Sequence, residues 1–117
     1  IDLYQIHRWD DETDHDETLG ALTDLVRAGK VRYIGSSTYP PSEIVAAQWV
    51  AEKRGHARFV CEQPPYSMLV RGIETEVLPV LQQHALGAII SLTGPGAARA
   101  GAVQRRRSDG SESAGGV

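Results

Sequence analysis

A histidine and a tryptophan stand where the first apolar run of this sequence ends. Ile1-Asp2-Leu3-Tyr4-Gln5-Ile6 reads as a strand, and His7, Arg8, Trp9 and Asp10 follow at once. In parallel α/β folds, reactive groups sit where strands hand over to loops, so an imidazole at that junction can hydrogen-bond or exchange protons with a ligand bound at the strand ends. Trp9 offers an apolar wall for the same ligand. His15, His56 and His84 are scattered without metal-ligand spacing and lie in polar or helix-end settings, where solvated rings are expected. The acidic run over residues 10–17 lacks the regular spacing of a hard-cation loop, so no metal site is expected and the run reads as an exposed loop.

The elements that must position these groups recur along the chain. Residues 1–6, 31–36, 58–62 and 87–92 are strand candidates, starting about every 28 residues, the length of one βα unit. Three helices are predicted between them. In residues 17–28, Leu19, Leu22, Leu25 and Val26 keep a helical period, Asp14 with Glu17 suits a capping box, and Gly29 suits the C-terminal cap. In residues 42–54, Pro40, Pro41 and Ser42 mark the start, Ile44, Val45, Ala47, Trp49 and Ala51 form an apolar face, and Gly55 ends it. In residues 74–85, Pro79 requires either that the regular helix begin near residues 76–78 or that it bend there. This order implies parallel strands with right-handed crossovers, buried on both faces. The two fitting architectures are a (β/α)8 barrel, of which this would be about half, and an open doubly wound sheet. The latter usually carries a glycine-rich phosphate turn where this chain has His7 to Asp10.

Composition narrows the classes further. The chain has 117 residues, 41% hydrophobic and 23% charged, which is ordinary for a globular protein. No apolar run approaches the ~20 residues of a membrane span, and no signal peptide is visible. Residues 1–92 carry 8 basic and 13 acidic side chains, net −5, so a basic nucleic-acid-binding face is not expected. Cys61 is the lone cysteine, which excludes an internal disulfide and suits the reducing cytoplasm. Residues 93–117 hold half of the chain's twelve glycines and no aromatic residue, and are expected to be disordered. The sequence opens inside a strand without Met, and is expected to be a piece of a larger protein. Such a piece exposes sheet edges, so self-association is expected.

Four segments together resemble the aldo-keto reductases: IDLYQIHRWD at residues 1–10, TLGALTDLVRAGKVRYIGSS at 18–37, FVCEQPPYSML at 59–69, and EVLP at 76–79. The likeness is to the branch of bacterial reductases and potassium-channel β subunits, and it makes the four strands the fourth to seventh of the family's barrel. The resemblance implies a partial (β/α)8 barrel over residues 1–92, and reduction of aldehyde or ketone carbonyls by hydride transfer from NADPH. It identifies His7 with the family's active-site histidine, which aims a donor at the carbonyl oxygen where negative charge develops. It identifies Ser36, Ser37 and Gln63 with the residues that grip the nicotinamide carboxamide, and it places Trp9 at the substrate.

The family's general acid, a tyrosine tuned by a lysine and an aspartate, comes from segments before the strand carrying His7. Tyr4, Tyr33, Tyr39, Tyr66, Lys30 and Lys53 do not match those residues, so the isolated chain is expected to be inactive. After residue 92 the family continues differently, and residues 93–117 are expected to be a frameshifted reading of the eighth unit or a flexible tail binding an acidic partner through Arg105 to Arg107. The competing class is a non-catalytic nucleotide-sensing module like the channel β subunits.

Overall fold

The structure is a computed structural model that describes residues 1–91. Strands and helices alternate: β1 (Leu3–Ile6), α1 (His15–Arg27), β2 (Tyr33–Ser37), α2 (Pro41–Arg54), β3 (Phe59–Gln63), α3 (Val77–Gln83) and β4 (Gly87–Ala88). A single 3-10 turn, Gly72–Glu74, precedes α3. The expectation of disorder over residues 93–117 lies outside the described residues.

Each helix is bounded by residues that leave the chain little choice. Asp14 stays extended and its carboxylate accepts from the Asp16 N–H at 3.0 Å, capping α1. At the other end Gly29 takes φ 73°, letting its N–H donate to the Val26 carbonyl and the Lys30 N–H to the Leu25 carbonyl. Pro41 opens α2, where a missing N–H costs nothing, and Gly55 closes it at φ 72°. Regular α3 begins at Val77, so Pro79 falls in its first turn and does not bend the helix, the first of the two expected outcomes.

The four strands pair in parallel in the order β1-β2-β3-β4, with Ile6 opposite Ser36 and Ser37 opposite Gln63. Between Ile34 and Ser36 the register against β3 slips, with Phe59 and Glu62 as their partners. One strand thus spends an extra residue there, a bulge that re-aims the side chains beyond it. Helices pack on the sheet face that carries Ile34 and Phe59, and the core gathers Leu19, Leu22, Val31, Tyr39, Ile44, Ala47, Ala51, Leu81 and Leu86 around them.

The predicted apolar face of α2 needs one correction. Ile44, Ala47, Gln48 and Ala51 are buried, whereas Trp49 is 57% exposed with the Lys53 ammonium 4.5 Å from its ring centre. The buried Gln48 side chain donates to the Phe59 carbonyl at 3.0 Å, so a polar residue there ties α2 to β3. Among the described residues no helix is long and apolar enough to cross a membrane.

Candidate functional site

The C-terminal rim of the sheet collects the predicted residues by simple register. Ile6, Ser36 and Glu62 form one row across β1, β2 and β3, and the next residues of those strands are His7, Ser37 and Gln63. Successive residues of a strand point to opposite faces, so the two rows face opposite ways. Ile6 packs against the core beneath the helices, and Ser36 and Glu62 are buried on that side. The row of His7, Ser37 and Gln63 therefore belongs to the other face, the one no helix covers among the described residues. Further down that face Gly35 meets Cys61, and the buried Gln5 amide nitrogen has no hydrogen-bond partner among the described residues.

The serine pair is accordingly divided. Ser37 is half-buried at the rim, and its hydroxyl donates to the Gln63 carbonyl oxygen at 2.9 Å. With its proton committed, Ser37 Oγ offers lone pairs to a donor arriving from the rim. Ser36 is fully buried, and its hydroxyl donates to the Glu62 carboxylate. Among the described residues, no hydrogen bond engages the Gln63 amide or the His7 ring, and His7 is exposed. Trp9 is 37% exposed just beyond, at the start of the loop to α1. There Asp10 accepts from the Thr13 hydroxyl at 2.7 Å and the Glu12 N–H at 3.1 Å. Those two bonds, the hydroxyl's first, hold its carboxyl below the ordinary value.

Sequence reasoning missed two residues here. Thr38 follows Ser37 with φ 56°, a left-handed conformation rare for a β-branched residue, and its hydroxyl lies 3.4 Å from Ser37 Oγ. Glu62 lies behind the rim, accepting from the Ser36 hydroxyl and from the Tyr39 N–H at 3.0 Å. A charged residue directly after the apolar run Phe59, Val60, Cys61 was the available signal for Glu62. For Thr38 nothing in the sequence distinguishes its conformation.

Two histidines expected to be solvated are instead paired. His15 Nε2 is 2.9 Å from Glu43, joining α1 to the start of α2, and His56 Nε2 is 2.6 Å from Asp16. Both rings are mostly buried between elements the sequence could not place side by side. Tyr39 lies between the His15 and Phe59 rings, with centroid separations of 6.2 and 5.7 Å. Burial first, then the negative charges of Glu62, Glu43 and Asp10, push its phenol up to about 12.

Burial also raises the Glu62 carboxyl above its ordinary value, and the donors from Ser36 and Tyr39 only partly offset this. In the acid range between the two values, the folded chain therefore holds a proton that the unfolded chain has released, and above that range Glu62 is a carboxylate in both. The stabilisation linked to that proton is complete below the unfolded carboxylate's value, and is lost as pH rises through the raised one. Urea unfolding followed by circular dichroism across this acid range should show that decline, and Glu62→Gln should remove this component of the slope. An identical slope in the variant would assign the decline to other groups.

Comparison with known proteins gives a consistent set of likenesses. The sequence model of the Aldo/keto reductase family matches residues 1–113. The uncharacterized oxidoreductase YrpG of Bacillus subtilis is 46% identical over 89 residues, covering 76% of this chain and 27% of YrpG. The aldo-keto reductase AFTS1 of Alternaria alternata is 42% identical over 89 residues, covering 76% of this chain and 24% of that protein. Among solved structures, the glycerol dehydrogenase AKR11B4 from Gluconobacter oxydans matches with a TM-score of 0.67 and 33% identity, over 77% of this chain and 26% of that one. The chain thus spans about a quarter of the length of the curated relatives it matches.

Proposed function

The chain belongs to the aldo/keto reductase family, and on that premise we propose that it supplies part of the active site of an oxidoreductase reducing aldehyde or ketone carbonyls with NADPH. Its parallel βα units match part of the family's barrel. The proposal rests on the rim row, where Ser37 and Gln63 stand in register and His7 follows the neighbouring strand. When bound, the dinucleotide would supply the hydride.

The donor set fits a nicotinamide carboxamide. Ser37 Oγ, its own proton given to the Gln63 carbonyl, accepts from the carboxamide NH2. The Gln63 side-chain amide donates to the carboxamide oxygen and accepts from its nitrogen. Ser36 contributes from behind the rim, through Glu62. His7 directs a ring N–H at the substrate oxygen, where negative charge grows as the carbonyl carbon is reduced. Trp9 walls the substrate side. Tyr39 is an unsuitable proton donor because its environment weakens it as an acid, and Tyr66 donates its hydroxyl proton to Glu74 at 2.6 Å. The edges of β1 and β4, unpaired among the described residues, would receive further strands or a second copy, and a lone thiol suits the cytoplasm.

The test is a fluorescence titration of the chain with NADPH, with circular dichroism on the same sample. Saturable binding is expected. Gln63→Ala should weaken it about tenfold, the loss of one well-placed hydrogen-bonding partner. His7→Ala should leave the dissociation constant nearly unchanged, because His7 faces substrate. A folded chain that never takes up NADPH, or one indifferent to Gln63→Ala, sinks the proposal.

A further inference from the structure

Glu62 is a buried carboxylate, 1% exposed, with no ion-pair partner among the described residues. Removing such a group from water is unfavourable unless its oxygens find several donors. Among the described residues its donors come from one short stretch: the Ser36 hydroxyl and, at 3.0 Å, the Tyr39 N–H. Between these two donors the backbone turns through Thr38, held at a left-handed φ of 56°. Ser37 sits in the middle of this stretch, facing the opposite way and bonded to Gln63, the residue after Glu62.

We infer that Glu62 is a positioning residue: by bonding Ser36 and Tyr39 on either side of Thr38, it fixes the turn that presents Ser37 beside Gln63 for the nicotinamide carboxamide. A glutamine would be cheaper to bury, but it has a single acceptor oxygen and would set an NH2 group against an N–H donor. The carboxylate is kept because each of its two oxygens holds a donor, Ser36 on Oε2 and Tyr39 on Oε1. The inference rests on the cofactor site proposed above, and adds to it a residue that touches neither cofactor nor substrate.

A ligand comparison separates this role from a general contribution to the fold. Ser37 accepts from the carboxamide NH2, a group absent from the 3-acetylpyridine analogue of NADPH. Glu62→Ala should therefore weaken NADPH about tenfold while changing the analogue by less than about twofold. Glu62→Gln keeps one acceptor and the side chain's shape but sets its NH2 against an N–H donor, and should show a smaller loss of the same selective kind. Circular dichroism establishes that each variant folds, and if Glu62→Ala does not, the NADPH-to-analogue ratio of Glu62→Gln carries the test, with a selective loss expected. Equal losses for both ligands, or no loss for either, overturn the positioning role while the NADPH site stands. A folded wild-type chain that binds neither ligand overturns the site and this role together.

Discussion

Phe59→Ala is expected to cost about 3–5 kcal/mol of stability, enough to unfold much of a small domain's population at room temperature. Phe59 is 1% exposed at the start of β3, opposite Ile34 and edge-on to Tyr39 at 80° between ring planes. Its carbonyl also takes the hydrogen bond from buried Gln48. Truncation leaves a void against Tyr39 and Ile34, which strand and helix backbones cannot collapse to fill. Phe59→Leu should cost much less, since most of the volume remains. Urea unfolding followed by circular dichroism measures both, and a Phe59→Ala midpoint close to wild type would place the centre of the core elsewhere.

The second large effect is expected at Gly35, through crowding. A Cβ built there would lie 2.6 Å from Cys61 Sγ, 3.0 Å from the Cys61 carbonyl oxygen and 3.4 Å from Gln5 Cγ. Because one of these neighbours is backbone, repacking side chains cannot relieve the contact, and β2 must move from β3. Gly35→Ala should lose about 1–3 kcal/mol. Adding Cys61→Ala removes the sulfur but not the carbonyl, so the double variant should recover part of the loss and show coupling between the sites. Full recovery would make the sulfur the whole obstacle, and additive losses would place the obstacle at the Cys61 carbonyl alone. Moving β2 also displaces Ser37 from Gln63, so NADPH affinity should fall with stability.

Much of this architecture was legible because glycine, proline and apolar period punctuate it. Gly29 and Gly55 end α1 and α2 where the sequence indicates, and Pro79 marks the first turn of α3. The resemblance to aldo-keto reductases, carried by segments around His7, Ser37 and Gln63, agrees with the family match and the shared fold. What escaped was the direction in which individual side chains point. Trp49 reads as core on hydrophobicity alone, yet Gln48 takes the inward position because it satisfies the Phe59 carbonyl. His15 and His56 gain partners from residues 28 and 40 positions away, a distance over which local pattern says nothing. The division of Ser36 from Ser37 was within reach: period two puts Ser36 on the side of Ile34, and apolar Ile34 marks the buried face. The extra residue in β3, which brings Glu62 to Ser36, left no such trace.

The spatial order of the strands is the order of the chain, and among the described residues each pairs only with the strand about 28 residues before or after it. Such a sheet can be assembled vectorially. As the polypeptide leaves the ribosome, each βα unit can dock on the one already made without waiting for a distant segment, which keeps contact order low and ordering fast for a parallel sheet. The rim inherits this schedule: His7 emerges first, Ser37 joins it with β2, and the proposed carboxamide site is complete only when β3 delivers Gln63.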